Sequence, residues 1–262
     1  MRYAIISDIH ANIEALQAVI EHARPRVDQF VCLGDIVGYN ASPNECLQLV
    51  RELCEVIIVG NHDQATAGTR TYDDFNSYAQ AAIDWTKTQL DGEAITFLAN
   101  LAPTAIFGVH NLAAHGSPRH TDEYLLHPQR IQQNFAYLIK KMPKIHCCFV
   151  GHTHVPMIWQ CSEEWVVSPV EKIKSNTVRL DPSRRYIINP GSVGQPRHGD
   201  PASSYLILDD EVLTATFCAV PYDIATTQDK IYDALLPIPL AERLEVGRST
   251  GSPHIFTRPH CA

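Results

Sequence analysis

Apolar residues are spaced along the first third of the chain in two alternating rhythms. A β-like run over residues 2–7 gives way to Asn12–His22, where Ile13, Leu16, Val19 and Ile20 share one helical face. A second strand is predicted from Gln29 to Leu33. It is followed by a helix with Pro43 in its first turn, running through Leu47, Val50 and Leu53. A third strand is expected from Glu55 to Val59. This β-α-β-α-β order predicts strands flanked by helices, an α/β class in which ligands gather beyond the carboxyl ends of the strands. The middle is more helical, with helices expected over 74–90, 92–100 and 128–141 around a hairpin of strands at 104–109 and 111–114. A strand at 145–150 opens a mostly β region, with further strands at 155–161, 164–168, 176–180, 185–188, 204–209 and 212–219. A final helical region, 223–246, is broken near Pro237 and Pro239. With neither repeat nor linker, residues 1–247 are expected to form one domain. The tail 248–262, bearing Gly, Ser and Pro, is expected to be disordered or used in oligomer contacts.

Polar residues collect where the strands end. Asp8 and His10 follow the first, Gly34-Asp35 the second, and Gly60-Asn61-His62-Asp63 the third. His115 follows the hairpin, and Gly151-His152-Thr153-His154 follows the strand at 145–150. Singly, each has an ordinary explanation: Asp8 as a helix N-terminal acid, Asn61 as a turn residue, His115 as a satisfied core histidine. Jointly they form a set of two carboxylates, one amide oxygen and four or five imidazoles. Such a set suits Mn, Fe, Co, Ni or Zn better than the oxygen-preferring Ca and Mg. The donors suffice for two ions if one carboxylate bridges, the usual arrangement for in-line displacement at phosphorus.

Composition narrows the classes. A 262-residue chain with 45% hydrophobic and 19% charged residues is ordinary for a globular protein. The net charge of −8, without a basic run or an aromatic–basic alternation, argues against a nucleic-acid surface. No apolar run reaches the roughly 18 residues of a membrane span. The first residues enter a strand and meet Asp8 at once, unlike a secretory signal. The eight cysteines show no CxxC spacing and read as reduced thiols of a cytoplasmic protein. The neighbours Cys147 and Cys148 are expected to point to opposite faces of a strand.

Asp8-x-His10, Gly34-Asp35, Gly60-Asn61-His62-Asp63, His115-Gly116 and Gly151-His152-Thr153-His154 resemble, in order, the motifs of calcineurin-like metallophosphoesterases. Gly34–Tyr39 and the stretch Asn189–Arg197 are similar to its small bacterial and archaeal branch, whose members are often labelled diadenosine-tetraphosphatase-like or protein-phosphatase-like. The resemblance implies a four-layer α/β/β/α sandwich with mixed sheets. It implies that Asp8, His10, Asp35 and His154 hold one metal, and that Asp35 bridges to a second completed by Asn61, His115 and His152. His62 would bind no metal, but would contact the phosphoryl oxygen and protonate or stabilise the leaving group. The metals would polarise the phosphoryl group and activate a bridging water as hydroxide.

The implied activity is hydrolysis of a phosphate ester or anhydride of a small soluble substrate, with a nucleotide-pyrophosphate or dinucleoside-polyphosphate hydrolase as the alternative. A catalytically silent scaffold fits poorly with the intact motif set, and a monomer and a homodimer are equally open. One departure stands out. Relatives acting on phosphoserine and phosphothreonine carry an Asp after the Gly-Asp motif that orients the catalytic His, where this chain has Gly38-Tyr39-Asn40. Asp63 is the alternative orienting group, and a dedicated protein-phosphatase role is disfavoured. Arg197 and Arg119 are candidate phosphate clamps, each with a surface ion pair as the plain alternative, and Tyr39 either stacks on substrate or packs.

Overall fold

The alternating N-terminal pattern is realised as β1 (Arg2–Ile6), α1 (Ile13–Ala23), β2 (Gln29–Cys32), α2 (Pro43–Leu53) and β3 (Cys54–Ile57). The chain continues through α3 (Asn61–Ala67), α4 (Ser77–Gln89), α5 (Gly92–Asn100), β4 (Thr104–Phe107), β5 (Asn111–Ala114), α6 (Pro128–Lys141) and β6 (Cys147–Phe149). It ends with β7 (Met157–Cys161), β8 (Val167–Pro169), β9 (Thr177–Arg179), β10 (Arg185–Asn189), β11 (Ser203–Asp209), β12 (Thr214–Val220), α7 (Ile224–Asp233) and α8 (Ile238–Val246). This is a computed structural model, and it describes residues 1–170 and 176–248. The expected tail therefore lies outside the described residues from 249 onward.

Two mixed six-stranded sheets carry these strands, in the orders β3-β2-β1-β11-β12-β9 and β4-β5-β6-β10-β7-β8. Side chains one residue apart on a strand point to opposite faces, and the core follows that rule. Tyr3 and Ile5 of β1 face the other sheet and, with Val31 and Phe217 of their own sheet, join Phe149 and Ile188 of the second. Ala4 and Ile6 face outward onto α1 and α2, with Leu16, Val19 and Leu47. On the second sheet, Cys147 and Phe149 look inward while Cys148 and Val150 pack under Phe135 and Leu138 of α6. Two sheets back to back with helices outside make the expected sandwich. Among the described residues no helix is long and apolar enough to cross a membrane.

The sheet pairings decide where the site forms. In the first sheet β1, β2 and β3 run parallel. In the second, β5, β6 and β10 run parallel. Each sheet thus sends three carboxyl ends to one edge, and the polar motifs occupy the loops that follow. Capping fixes where the neighbouring helices begin. Asn12 accepts from Ala15 N (3.1 Å) and Asn76 from Ala79 N (3.0 Å). The second cap places the start of α4 at Ser77 rather than at the expected 74. A further turn of helix, α3, begins within the Asn61-His62-Asp63 motif.

Candidate metal centre

Two turns after parallel neighbours are zipped together by their backbones. Asp8 N donates to Gly34 O (3.1 Å), His10 N to Asp35 O (2.9 Å) and Ala11 N to Ile36 O (2.8 Å). The fit requires left-handed backbone at Asp8 (φ 54°), His10 (φ 49°) and Asp35 (φ 53°), and again at His152 (φ 64°) and His154 (φ 58°). Non-glycine residues seldom adopt this region, and their concentration in one place is typical of a functional site. Gly60 is demanded by space: a Cβ there would collide with Asp35 Oδ1.

Asp35 lies at the middle. Its Oδ1 accepts His62 N at the start of α3 (2.8 Å), while Oδ2 faces His115 Nε2 at 3.3 Å and His10 Nε2 at 3.6 Å. Asp8 accepts His152 N (3.0 Å) and faces His154 Nε2 at 3.3 Å. Asn61 Oδ1 stands 3.0 Å from His115 Nε2. The ligand atoms of Asp8, His10, Asp35 and His154 form one group within 4.8 Å, and those of Asp35, His115 and His152 form another. All of these side chains are buried.

Backbone carbonyls orient three of the rings. Val37 O meets His10 Nδ1 (3.2 Å), Gln195 O meets His154 Nδ1 (2.6 Å) and Leu33 O meets His115 Nδ1 (2.7 Å). A carbonyl can only accept, so the assigned tautomer puts hydrogen on Nδ1 and, in a neutral ring, a bare lone pair on Nε2. Burial holds His10 and His154 well below the usual imidazole range, hence neutral. Their two Nε2 atoms face each other at 3.2 Å. Two lone pairs at that distance, beside two carboxylates, repel unless a cation lies between them. His152 adds a buried Nε2 without a hydrogen-bond partner among the described residues, and burial keeps this ring neutral too. The donor set fits metal ions.

Charge is unevenly held. Burial pushes the Asp8 carboxyl up to about 6. Burial acts in the same sense on Asp35, but facing His115 and His62 outweigh it and hold Asp35 well below the carboxylate range. For His115 burial favours the neutral ring, yet Asp35 and Asp8 prevail and raise it to about 10.

His62 differs from the expected arrangement. Asp63 does not orient it. The Asp63 carboxylate instead accepts from Ile36 N (2.9 Å), Val37 N (3.2 Å) and Gly60 N (3.0 Å), spending its lone pairs on the turns. Among the described residues nothing hydrogen-bonds the buried His62 Nδ1. The ring is held by other rings: Tyr39 at 4.5 Å, His10 at 4.8 Å and Phe75 at 4.9 Å between centroids. Burial lowers its pKa to about 4.

The calcineurin-like phosphoesterase superfamily domain matches residues 1–211. The chain belongs to this superfamily. It is 40% identical over 253 residues to an uncharacterized protein of Methanocaldococcus jannaschii, covering 94% of this chain and 98% of that one. It is 42% identical to a metallophosphoesterase from Sphaerobacter thermophilus of known crystal structure, with a TM-score of 0.80 over 94% of this chain and 99% of that one. A hypothetical protein from Pyrococcus horikoshii OT3, 19% identical, shares the fold (TM-score 0.75, 95% and 99% covered).

The three residues expected to contact substrate separate in the structure. Arg197 reaches the centre. Its backbone N donates to His154 O (3.3 Å), and its guanidinium meets Gln195 Oε1 (3.0 Å) and the Tyr124 hydroxyl, leaving Nε buried without a partner among the described residues. Tyr39 is buried against His10 and His62 and lies beneath Arg197, 5.8 Å from ring centroid to guanidinium carbon. Arg119 is not brought to the cluster: its guanidinium donates to Gln133 of α6 (2.9 Å). Three neighbours escaped the motif reading: Phe75, Tyr124, whose ring lies 3.9 Å from that of His152, and Arg243 of α8, 5.6 Å from the Tyr39 ring. None sits in a motif. The aromatic Phe75 beside Asp73-Asp74 was the single visible hint.

Proposed function

We propose that this protein is a dinuclear-metal-dependent phosphoesterase that hydrolyses a phosphate ester or anhydride bond of a small soluble substrate. The observation carrying this reading is a pair of buried Asp/His groups sharing Asp35, with an uncommitted imidazole, His62, beside them. Asp8, His10, Asp35 and His154 would hold one ion, and Asp35, Asn61, His115 and His152 the other. When bound, such ions supply Lewis acidity and lower the pKa of water toward neutrality. Transition metals fit the imidazole-rich set, Mn, Fe, Co, Ni and Zn among them.

The chain's own residues do the rest. His62, neutral through burial, carries one ring N–H and offers it to the leaving oxygen as charge develops there. Arg197 brings a partly unsatisfied guanidinium to the same centre, suited to the oxygens of the transferred phosphoryl group. The backbone carbonyls behind His10, His115 and His154 prevent ring rotation during turnover.

Purified protein supplied with Mn²⁺ is expected to hydrolyse an aryl phosphate ester and to lose that activity on chelation. Absence of turnover of mono-, di- and pyrophosphate esters across several metals would overturn the reading. His62→Ala should lower kcat roughly 10²–10⁴-fold while metal content is retained. Loss of metal from that variant would contradict the division of roles.

A further inference from the structure

The space into which a leaving group would move is a cleft of about 230 Å³ opening on His62 and His152. Its walls include the rings of Tyr39, Phe75 and Tyr124, and its rim carries the carboxylates of Asp74 and Asp122. No lysine or arginine is among its lining residues. The neighbouring cation, Arg70, is committed elsewhere. Its Nη2 donates to both oxygens of Asp74 (3.1 and 3.0 Å), its Nε to Thr71 O (2.9 Å), and its Nη1 pairs with Asp122. Its guanidinium also lies 4.9 Å from the Phe75 ring centroid. Two carboxylates against one guanidinium leave this rim net negative, while Arg197, bonded to the Tyr124 hydroxyl, stands at the inner wall beside the metal groups.

From this we infer that Asp74 and Asp122 select the leaving group. The site takes phosphate esters of compact, uncharged, ring-bearing alcohols and rejects phosphoanhydrides, whose leaving group is itself an anion. The inference rests on the phosphoesterase reading above and decides between its ester and anhydride branches. In ester hydrolysis the P–O bond to the alcohol breaks, water adds its oxygen to phosphorus, and a proton passes to the departing alkoxide. The product entering the cleft is then neutral and can lie against the three rings. In pyrophosphate hydrolysis the departing group is phosphate, with at least one negative charge, held against the part-buried carboxylate of Asp122 and the more exposed one of Asp74, where like charges repel.

The test compares kcat/KM for phenyl phosphate and inorganic pyrophosphate on Mn²⁺-loaded full-length protein, wild type against Asp74→Asn/Asp122→Asn. That substitution leaves Arg70 without its carboxylates, so the cleft changes from net negative to net positive with little change of shape. The wild type should favour phenyl phosphate, and the variant should raise the pyrophosphate-to-phenyl phosphate ratio at least tenfold. Taking the ratio cancels the intrinsic reactivity of the two compounds and any uniform loss of active protein. If the double variant does not fold, Asp122→Asn alone should move the ratio about threefold in the same direction. A wild type favouring pyrophosphate, or a ratio unmoved in a folded variant, overturns the selection by these carboxylates and leaves the phosphoesterase reading standing. A wild type turning over neither compound overturns both.

Discussion

Among the described residues His62 has a bare Nδ1 and no hydrogen bond to fix its ring, so its aim depends on tilted ring contacts with Tyr39 and Phe75. Misplacing a reacting group by about 1 Å can cost a hundredfold in rate. Phe75→Ala is therefore expected to lower kcat roughly 10–100-fold with metal content unchanged, whereas Phe75→Tyr, which keeps the ring, should stay within a few-fold. Equal losses in the two variants would show that the ring face does not hold His62. His115 supports a second expectation. In the metal-free protein it is raised to about 10 from an ordinary value of 6.5, so it is protonated at neutral pH beside Asp35. A raised imidazole pKa stabilises the metal-free fold fully below about 6.5 and ceases to do so as pH rises through about 10. Metal requires the bare Nε2, so loading at pH 7 must expel this proton and affinity must climb across the same window. Titration calorimetry in two buffers of different ionisation enthalpy should register the release, and an affinity flat between pH 7 and pH 9 would contradict it. Residues of this kind were legible in the sequence because Asp8, His10, Asp35, Asn61 and the three later histidines occur in short motifs at strand ends. Phe75, Tyr124 and Arg243 were not, because only tertiary packing brings an aromatic from the α3–α4 connection, a loop tyrosine and a helical arginine to one place.

At the scale of elements, the twelve strands and seven of the eight helices among the described residues follow from the apolar pattern: the helices bury one face, while strands such as β1, β5 and β6, buried on both faces, read as short apolar runs bounded by turn residues. α3 is the exception. Its seven residues, Asn-His-Asp-Gln-Ala-Thr-Ala, carry no apolar stripe, and its start coincides with polar residues that the site needs. What holds α3 is local polar structure: Asp63 caps Gly60 N, and Asp35 receives His62 N near the positive end of the helix. The same turn leaves no room for a side chain at Gly60, where a Cβ would displace the Asp35 carboxylate. Gly60→Ala is expected to destabilise the protein by roughly 1–3 kcal/mol, as overpacking does. Because the displaced group is the shared carboxylate, the variant should also bind less metal, which elemental analysis of the purified protein would show. Full metal content in Gly60→Ala would mean that Asp35 can shift without consequence. Strain in the neighbouring turns, with Asp8, His10, Asp35, His152 and His154 all left-handed, fits the same trade, in which backbone conformation gives up stability so that side chains converge. Such strain leaves no periodic trace, so it could not be read from apolar spacing.

For the whole molecule, the consequence lies in which sheet supplies each donor. Asp8, His10, Asp35 and Asn61 follow strands of the first sheet, and His115, His152 and His154 follow strands of the second. The two sheets otherwise meet through an apolar core, Tyr3, Ile5 and Val31 against Phe107, Phe149 and Ile188, that ends where the polar loops begin. At that edge the metal-free protein places Asp8 and Asp35 close together, with His10 and His154 presenting lone pairs to each other. Ions bound there relieve both repulsions and tie one sheet to the other. They bind the folded chain in preference to the unfolded one, so stability rises with free metal by RT ln(1 + [L]/Kd), about 2.7 kcal/mol at a hundredfold excess over Kd. For a chain of this size that corresponds to a rise in Tm of roughly 5–10 °C. Thermal unfolding followed with and without chelator should show this shift, and Asp35→Asn, which weakens both groups at once, should abolish most of it. His62→Ala, which touches neither group's ligand atoms, should keep the shift while losing turnover. If chelation removed activity but left Tm in place, the ions would serve chemistry without joining the sheets, and the convergence of six strand ends would need another explanation.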